Sequence, residues 1–136
     1  MSARQRKGQG EPMMRLMTWH GGDKFTLDQV PDPVARPGRV VVKVDTIGVC
    51  GTDVHITQGL FPAIPPRVLG HEGSGVIVDA GEGVDKSRIG DRVVMNTTSH
   101  CGVCSACTSW SESRCENADL TSGMFAEYAT APSQSA

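Results

Sequence analysis

Four cysteines fall within fifteen residues, as Cys101-x-x-Cys104-x-x-Cys107 followed by Cys115, while Cys50 stands alone. Thiolates at this spacing suit a soft metal. Four of them around one zinc make a closed tetrahedral site, and binding adds roughly 10–16 kcal/mol to the folding of small zinc modules. An iron–sulfur cluster is the rival, because three cysteines at two-residue gaps also open the bacterial ferredoxin pattern. Here seven residues rather than three precede the fourth cysteine, and Glu116 rather than proline follows it, so zinc is favoured. Disulfides would need an oxidising compartment, for which the sequence offers no export signal.

A second group is less explicit. His71 and Glu72 are bracketed by Gly70, Gly73 and Gly75, and Cys50 is followed closely by Thr52, Asp53 and His55. Cysteine, histidine and a carboxylate can each bind a metal, and the glycines let the backbone lie close to a metal, a substrate or a neighbouring strand. Each has an ordinary alternative: a lone cysteine is often a small core residue, and a histidine among glycines is often a turn residue. Residue types alone leave both readings open.

The elements that must position these groups read as short strands. Sixteen glycines and eight prolines punctuate several valine-rich runs, which favours strands and turns over long helices. An opening hairpin is predicted from Met13 to about His20, through Gly21-Gly22-Asp23, and on from Phe25 to Val30. Val40, Val42 and Val44 alternate with Val41, Lys43 and Asp45, which predicts one apolar face and one mixed face. Past Cys50, Thr52 or Asp53 is placed to cap a helical turn ending at Gly59, with Thr52 and His55 three apart on one side. Val76 to Val78 and Val93 to Met95 predict two strands joined by a glycine-rich connection. A last strand is expected over Met124 to Ala129. Residues 96–117 contain few large apolar side chains besides Trp110, so that lobe needs its cysteines as a staple.

A chain of 136 residues supports one domain with a modest core. The predicted fold class is mostly β, over residues 13–136, after a disordered tail at 1–12. A net charge of −2 supplies no broad basic face, so no nucleic-acid partner is expected. Residues 13–19 are apolar only briefly and are interrupted by Arg15, which fits neither a signal peptide nor a membrane span. The expectation is a soluble cytoplasmic protein with no membrane partner. Gly81-Glu82-Gly83 follows a strand, but Lys86 stands where a dinucleotide fingerprint needs its third glycine. A plain turn is predicted there.

The motifs GVCGTDVH (Gly48 to His55), GHEGSGVI (Gly70 to Ile77), GDRV (Gly90 to Val93), the four-cysteine lobe and FAEY (Phe125 to Tyr128) occur in a telling order. Together they resemble the zinc-dependent medium-chain alcohol and polyol dehydrogenases over about Met13 to Pro132. The resemblance implies the chaperonin-10-like (GroES-like) catalytic domain, a partly open β barrel with short helices and a four-cysteine zinc lobe. It implies two Zn2+ sites: a structural one at Cys101, Cys104, Cys107 and Cys115, and a catalytic one at Cys50 and His71 with Glu72 beside them. It further implies that Asp53 orients His71, that Thr52 accepts the alcohol proton, and that His55 ends the relay to solvent.

Two departures qualify what is implied. Gly51 follows the lone cysteine, as in polyol and threonine dehydrogenases, which tilts the substrate toward small polyols and secondary alcohols. The nucleotide-binding domain lies outside these residues, so NAD or NADP is expected only with such a domain, in cis or in trans. No cofactor-binding residue is assigned within the chain. Cys115 to Gly123 is also shorter than usual before the FAEY strand. The implied function is the catalytic domain of a zinc-dependent NAD(P)-linked dehydrogenase, truncated or completed by another chain, expected to be inactive when isolated, and compatible with a homo-oligomer. The alternative is a zinc-binding GroES-like module without redox activity.

Overall fold

A computed structural model describes residues 11–136; positions 1–10 of the expected tail lie outside the described residues. Among the described residues, nine strands, two short α-helices and three 3-10 turns make up the regular structure. The first hairpin joins β1 (Met13–Trp19) to β2 (Phe25–Pro31), and β1 also pairs with the short β4 (Arg67–Val68). The main sheet runs in the order β6-β5-β3-β9, from β3 (Arg39–Gly48), β5 (Glu72–Ala80), β6 (Arg92–Met95) and β9 (Tyr128–Pro132), antiparallel throughout. A two-stranded ribbon, β7 (Thr98–Ser99) with β8 (Asp119–Leu120), carries the cysteine lobe. Helix α1 spans Gly51–Thr57 and α2 spans Ser105–Thr108. The sheets remain open and do not close into a barrel.

The main core is Val40, Val42, Ile77, Ala80, Met95, Met124, Ala129 and Ala131, gathered from all four strands of the large sheet and the segment before β9. Val41 is buried as well, so both faces of β3 are covered at its start, where one mixed face was expected. A register shift between Val41 and Val42 accompanies this change, as a bulge does. A smaller cluster, Trp19, Ile56 and Leu69, packs α1 against β1 and the segment leading to His71. The Trp19 indole N–H donates to the Gly22 carbonyl at 2.8 Å, so the buried ring leaves no donor unpaired.

The last strand begins later than the apolar pattern predicts. Residues 124–127 bond sideways to β1, through Met17 N–H to the Phe125 carbonyl (2.8 Å) and Glu127 N–H to the Arg15 carbonyl (3.0 Å). Bonding to β3 begins at Glu127, whose carbonyl accepts from Val44 N–H at 2.9 Å, and the ladder itself runs from Tyr128. One apolar run thus serves two sheets in succession.

The glycine-rich connection after β5 is a turn followed by a 3-10 turn at Lys86–Arg88. It offers no helix N-terminus on which a pyrophosphate could sit. Among the described residues no helix is long and apolar enough to cross a membrane.

The central ladder decides where the chemistry sits. Strand β3 ends at Gly48 directly opposite Glu72, the first residue of β5. Cys50 therefore lies just beyond one strand end and His71 just before the other.

Candidate metal centres

In the lobe, four sulfurs converge. Their separations are 3.5 Å for Cys104–Cys107, 3.6 Å for Cys101–Cys115, 3.9 Å for Cys104–Cys115 and 4.0 Å for Cys101–Cys107. A tetrahedral zinc with metal–sulfur bonds near 2.3 Å requires edges of about 3.8 Å. The donor set fits that ion. Cys104 stands at the N-cap of α2 without using its side chain as a cap, which keeps its sulfur free for the cluster. Backbone N–H groups point at the sulfurs, with Cys104 N–H donating to Cys101 Sγ and Cys101 N–H to Cys115 Sγ, both at 3.4 Å.

These amides shape the acidity of the group. Backbone N–H groups of Val103 and Cys104 lower Cys101 to about 6, and those of Cys107 and Glu116 lower Cys104. Desolvation pushes Cys107 up to about 12, against the pull of the Gly102 amide. A lobe in which some thiols ionise readily and one resists is prepared for a cation that neutralises the collected charge.

The second group forms around the start of α1. Cys50 is the N-cap, where the sequence suggested Thr52 or Asp53. Its Sγ accepts from Thr52 N–H at 3.5 Å, and Asp53 Oδ2 accepts from Cys50 N–H at 3.1 Å, completing a reciprocal capping box. The other oxygen of Asp53 accepts from Gly70 N–H at 3.1 Å and lies 3.6 Å from His71 Nδ1. One buried carboxylate therefore holds the backbone of both the Cys50 and the His71 segments. Gly70 adopts φ +86°, and a side chain there would run into the Phe125 ring. Its carbonyl accepts from Gly123 and Met124 N–H at 2.9 and 3.1 Å. The FAEY region thus clamps the peptide in front of His71.

Ligand atoms of Cys50, His71 and Glu72 all lie within 4.8 Å of one another. Three donors at about 2.0–2.3 Å from a shared zinc span a comparable distance. Unlike the lobe, this site is open. Two clefts meet at His71, one of about 590 Å³ bounded by Ile47, Glu72, Val94 and Thr97, the other of about 400 Å³ bounded by Thr52, Phe61, Leu120 and Thr121. Thr52 Oγ1 lies 3.6 Å from Cys50 Sγ. His55 is exposed one turn further on, and among the described residues its ring is hydrogen-bonded to none of the others.

Two contributors escaped the sequence reading. Thr97 Oγ1 donates to the His71 carbonyl at 3.2 Å, tying the start of the lobe to the ligand segment. Gly48, though part of a recognised motif, gave no sign of facing Glu72; only the strand register could have revealed it.

With this geometry in view, the alcohol dehydrogenase GroES-like domain family matches residues 36–136. A sorbitol dehydrogenase of Halalkalibacterium halodurans is 42% identical over 125 residues, covering 88% of this chain and 36% of that protein. The structure resembles a putative zinc-binding dehydrogenase of Sinorhizobium meliloti bound to NADP, with a TM-score of 0.79 and 32% identity over 92% of this chain. A short chain alcohol dehydrogenase of Escherichia coli complexed with NADH gives a TM-score of 0.80 at 32% identity over 93% of this chain. The chain spans 38% of the length of each of these two structures.

Proposed function

Because the chain belongs to the alcohol dehydrogenase GroES-like domain family, we propose that it forms the catalytic part of a zinc-dependent, NAD(P)-linked dehydrogenase acting on a small polyol or secondary alcohol. The observation that carries this reading is the convergence of Cys50, His71 and Glu72 at an open cleft, with Thr52 beside the Cys50 sulfur. Zinc, when bound, supplies Lewis acidity. The remaining steps belong to the chain and its partner domain.

Cys50 and His71 hold the ion, and Glu72 either joins them or yields to substrate. Asp53 fixes the His71 ring by facing Nδ1, which leaves Nε2 for the metal. Thr52 Oγ1 accepts the proton of the substrate hydroxyl, and His55 passes it to solvent. A nicotinamide cofactor held by the partner domain would supply the hydride acceptor, so that alcohol and NAD(P)+ would give carbonyl, NAD(P)H and the proton that Thr52 and His55 carry away.

The ring must be held against that carbon, and the described residues offer no dinucleotide-binding turn. A nucleotide-binding domain supplied in cis or in trans completes the enzyme. A cytoplasmic setting suits it, since reduced thiols are required at both metal sites.

The test is the appearance of reduced-nicotinamide absorbance with a panel of alcohols, for the 136-residue chain and for its fusion to a matching nucleotide-binding domain. Turnover is expected only from the fusion, with polyols or secondary alcohols. A folded, zinc-loaded fusion that oxidises none of them would instead favour a metal-binding module.

A further inference from the structure

Gly48 ends β3 exactly opposite Glu72 in the antiparallel ladder. A β-carbon built on Gly48 would collide with Glu72 Oε2, and would lie 3.2 Å from its Cβ and 3.5 Å from its Cδ. The three nearest neighbours of that missing atom all belong to the Glu72 side chain. The carboxylate therefore occupies the space that any other residue at position 48 would fill. Gly48 has no left-handed φ, so its backbone does not itself demand glycine. The absence of a side chain serves the neighbour across the ladder.

We infer that Gly48 is a positioning residue for the open metal site: it provides the seat from which the Glu72 carboxylate reaches the Cys50–His71 pair. This inference rests on reading Cys50, His71 and Glu72 as a metal site. The physical argument concerns geometry at the strand end. Cys50 is fixed by its role as helix cap and His71 by the clamp on Gly70. Glu72 is exposed, and among the described residues its carboxylate accepts no hydrogen bond that would orient it. The bare backbone at Gly48 leaves open the space that it occupies. A methyl group at position 48 would swing the carboxylate away from the other two donors. The site would then hold its ion through two protein ligands.

The experiment uses the metal-free, reduced chain titrated with Zn2+ against a chromophoric chelator, which reports each site's affinity without turnover. Wild type should take up two ions, and Gly48→Ala should weaken only the weaker site, by about 10- to 100-fold. The four-cysteine site and the far-ultraviolet circular dichroism should be unchanged. In a Glu72→Ala background, Gly48→Ala should have far less effect, since the colliding carboxylate is gone and the Cβ left at 3.2 Å need give by only a few tenths of an ångström. An equal loss in both backgrounds, or an unchanged affinity in Gly48→Ala, would overturn the inference while leaving the metal site standing. Uptake of a single ion by wild type would overturn both. If Gly48→Ala failed to fold, the double variant should recover the fold; failure of both would show that the collision does not run through Glu72.

Discussion

Asp53 Oδ1 lies 3.6 Å from His71 Nδ1 and 3.1 Å from the Gly70 amide nitrogen, while Oδ2 accepts from the Cys50 amide. A side chain only 5% exposed thus couples the helix cap at Cys50 to the peptide in front of His71. Each of its oxygens accepts one backbone N–H.

Asparagine at this position keeps one acceptor and replaces the other by a donor. Asp53→Asn should destabilise the fold by about 1–3 kcal/mol, the cost of leaving a buried amide unpaired. It should also weaken zinc at the open site by about 10- to 100-fold. Urea denaturation and metal titration measure the two effects; a loss of affinity with unchanged stability would show that only the His71 contact matters.

The two metal sites should differ in their hold. Four thiolates enclose an ion on every side, whereas Cys50, His71 and Glu72 leave a face open to solvent. Mild chelation should remove the open-site zinc first. Cys101→Ser should abolish the lobe's zinc and unfold residues 96–117 while leaving the β3/β5 ladder protected from hydrogen exchange. A folded variant with full metal content would contradict the structural assignment.

Thr52 and His55 should matter for turnover more than for folding. Neither side chain is buried, and Cys50 rather than Thr52 caps α1, so alanine at either position should alter stability by less than about 1 kcal/mol. In the completed enzyme, Thr52→Ala should reduce kcat sharply. His55→Ala should slow turnover mainly at low pH, where the released proton is hardest to shed. An unchanged pH–rate profile would exclude His55 from the relay.

The Glu127 carboxylate accepts from the Arg15 guanidinium at 2.6 Å and from the Arg15 backbone N–H at 2.7 Å. These contacts hold the Glu127 carboxyl below its ordinary value of 4.5. The stability they contribute is therefore fully present above that value and is lost as pH falls through the lowered one. Glu127→Gln should flatten the acid limb of the stability curve, by a small amount because both side chains are exposed to solvent. Denaturation midpoints from about pH 7 to pH 3 would show it.

Much of this site was legible in the chain. The cysteine spacing announced the lobe, and the hairpin and the β5–β6 pair followed from apolar runs and turns. Cys50 as a helix cap was not legible, because capping preferences favour oxygen acceptors and sulfur is a weak one. The start of β9 was hidden by partner choice: residues 124–127 are as apolar as a core strand, yet their amides are used by β1 and the Gly70 segment. Gly48 and Thr97 act across the ladder and across the lobe boundary, at distances that local pattern does not encode.

The ladder that joins Gly48 to Glu72 also sets an order of events. The lobe sulfurs are separated by at most fourteen positions in sequence, so their encounter requires only a small loop. The other site requires β3 and β5 to pair in register, back to Val40 opposite Ala80, before Cys50 and His71 can meet. Closing larger loops costs more entropy and delays non-local contacts. During refolding in scarce zinc, the first ion should be captured by the lobe, and the second should arrive only when the sheet has closed. Uptake of the second ion is thus a clock for strand pairing, readable by rapid mixing without any substrate.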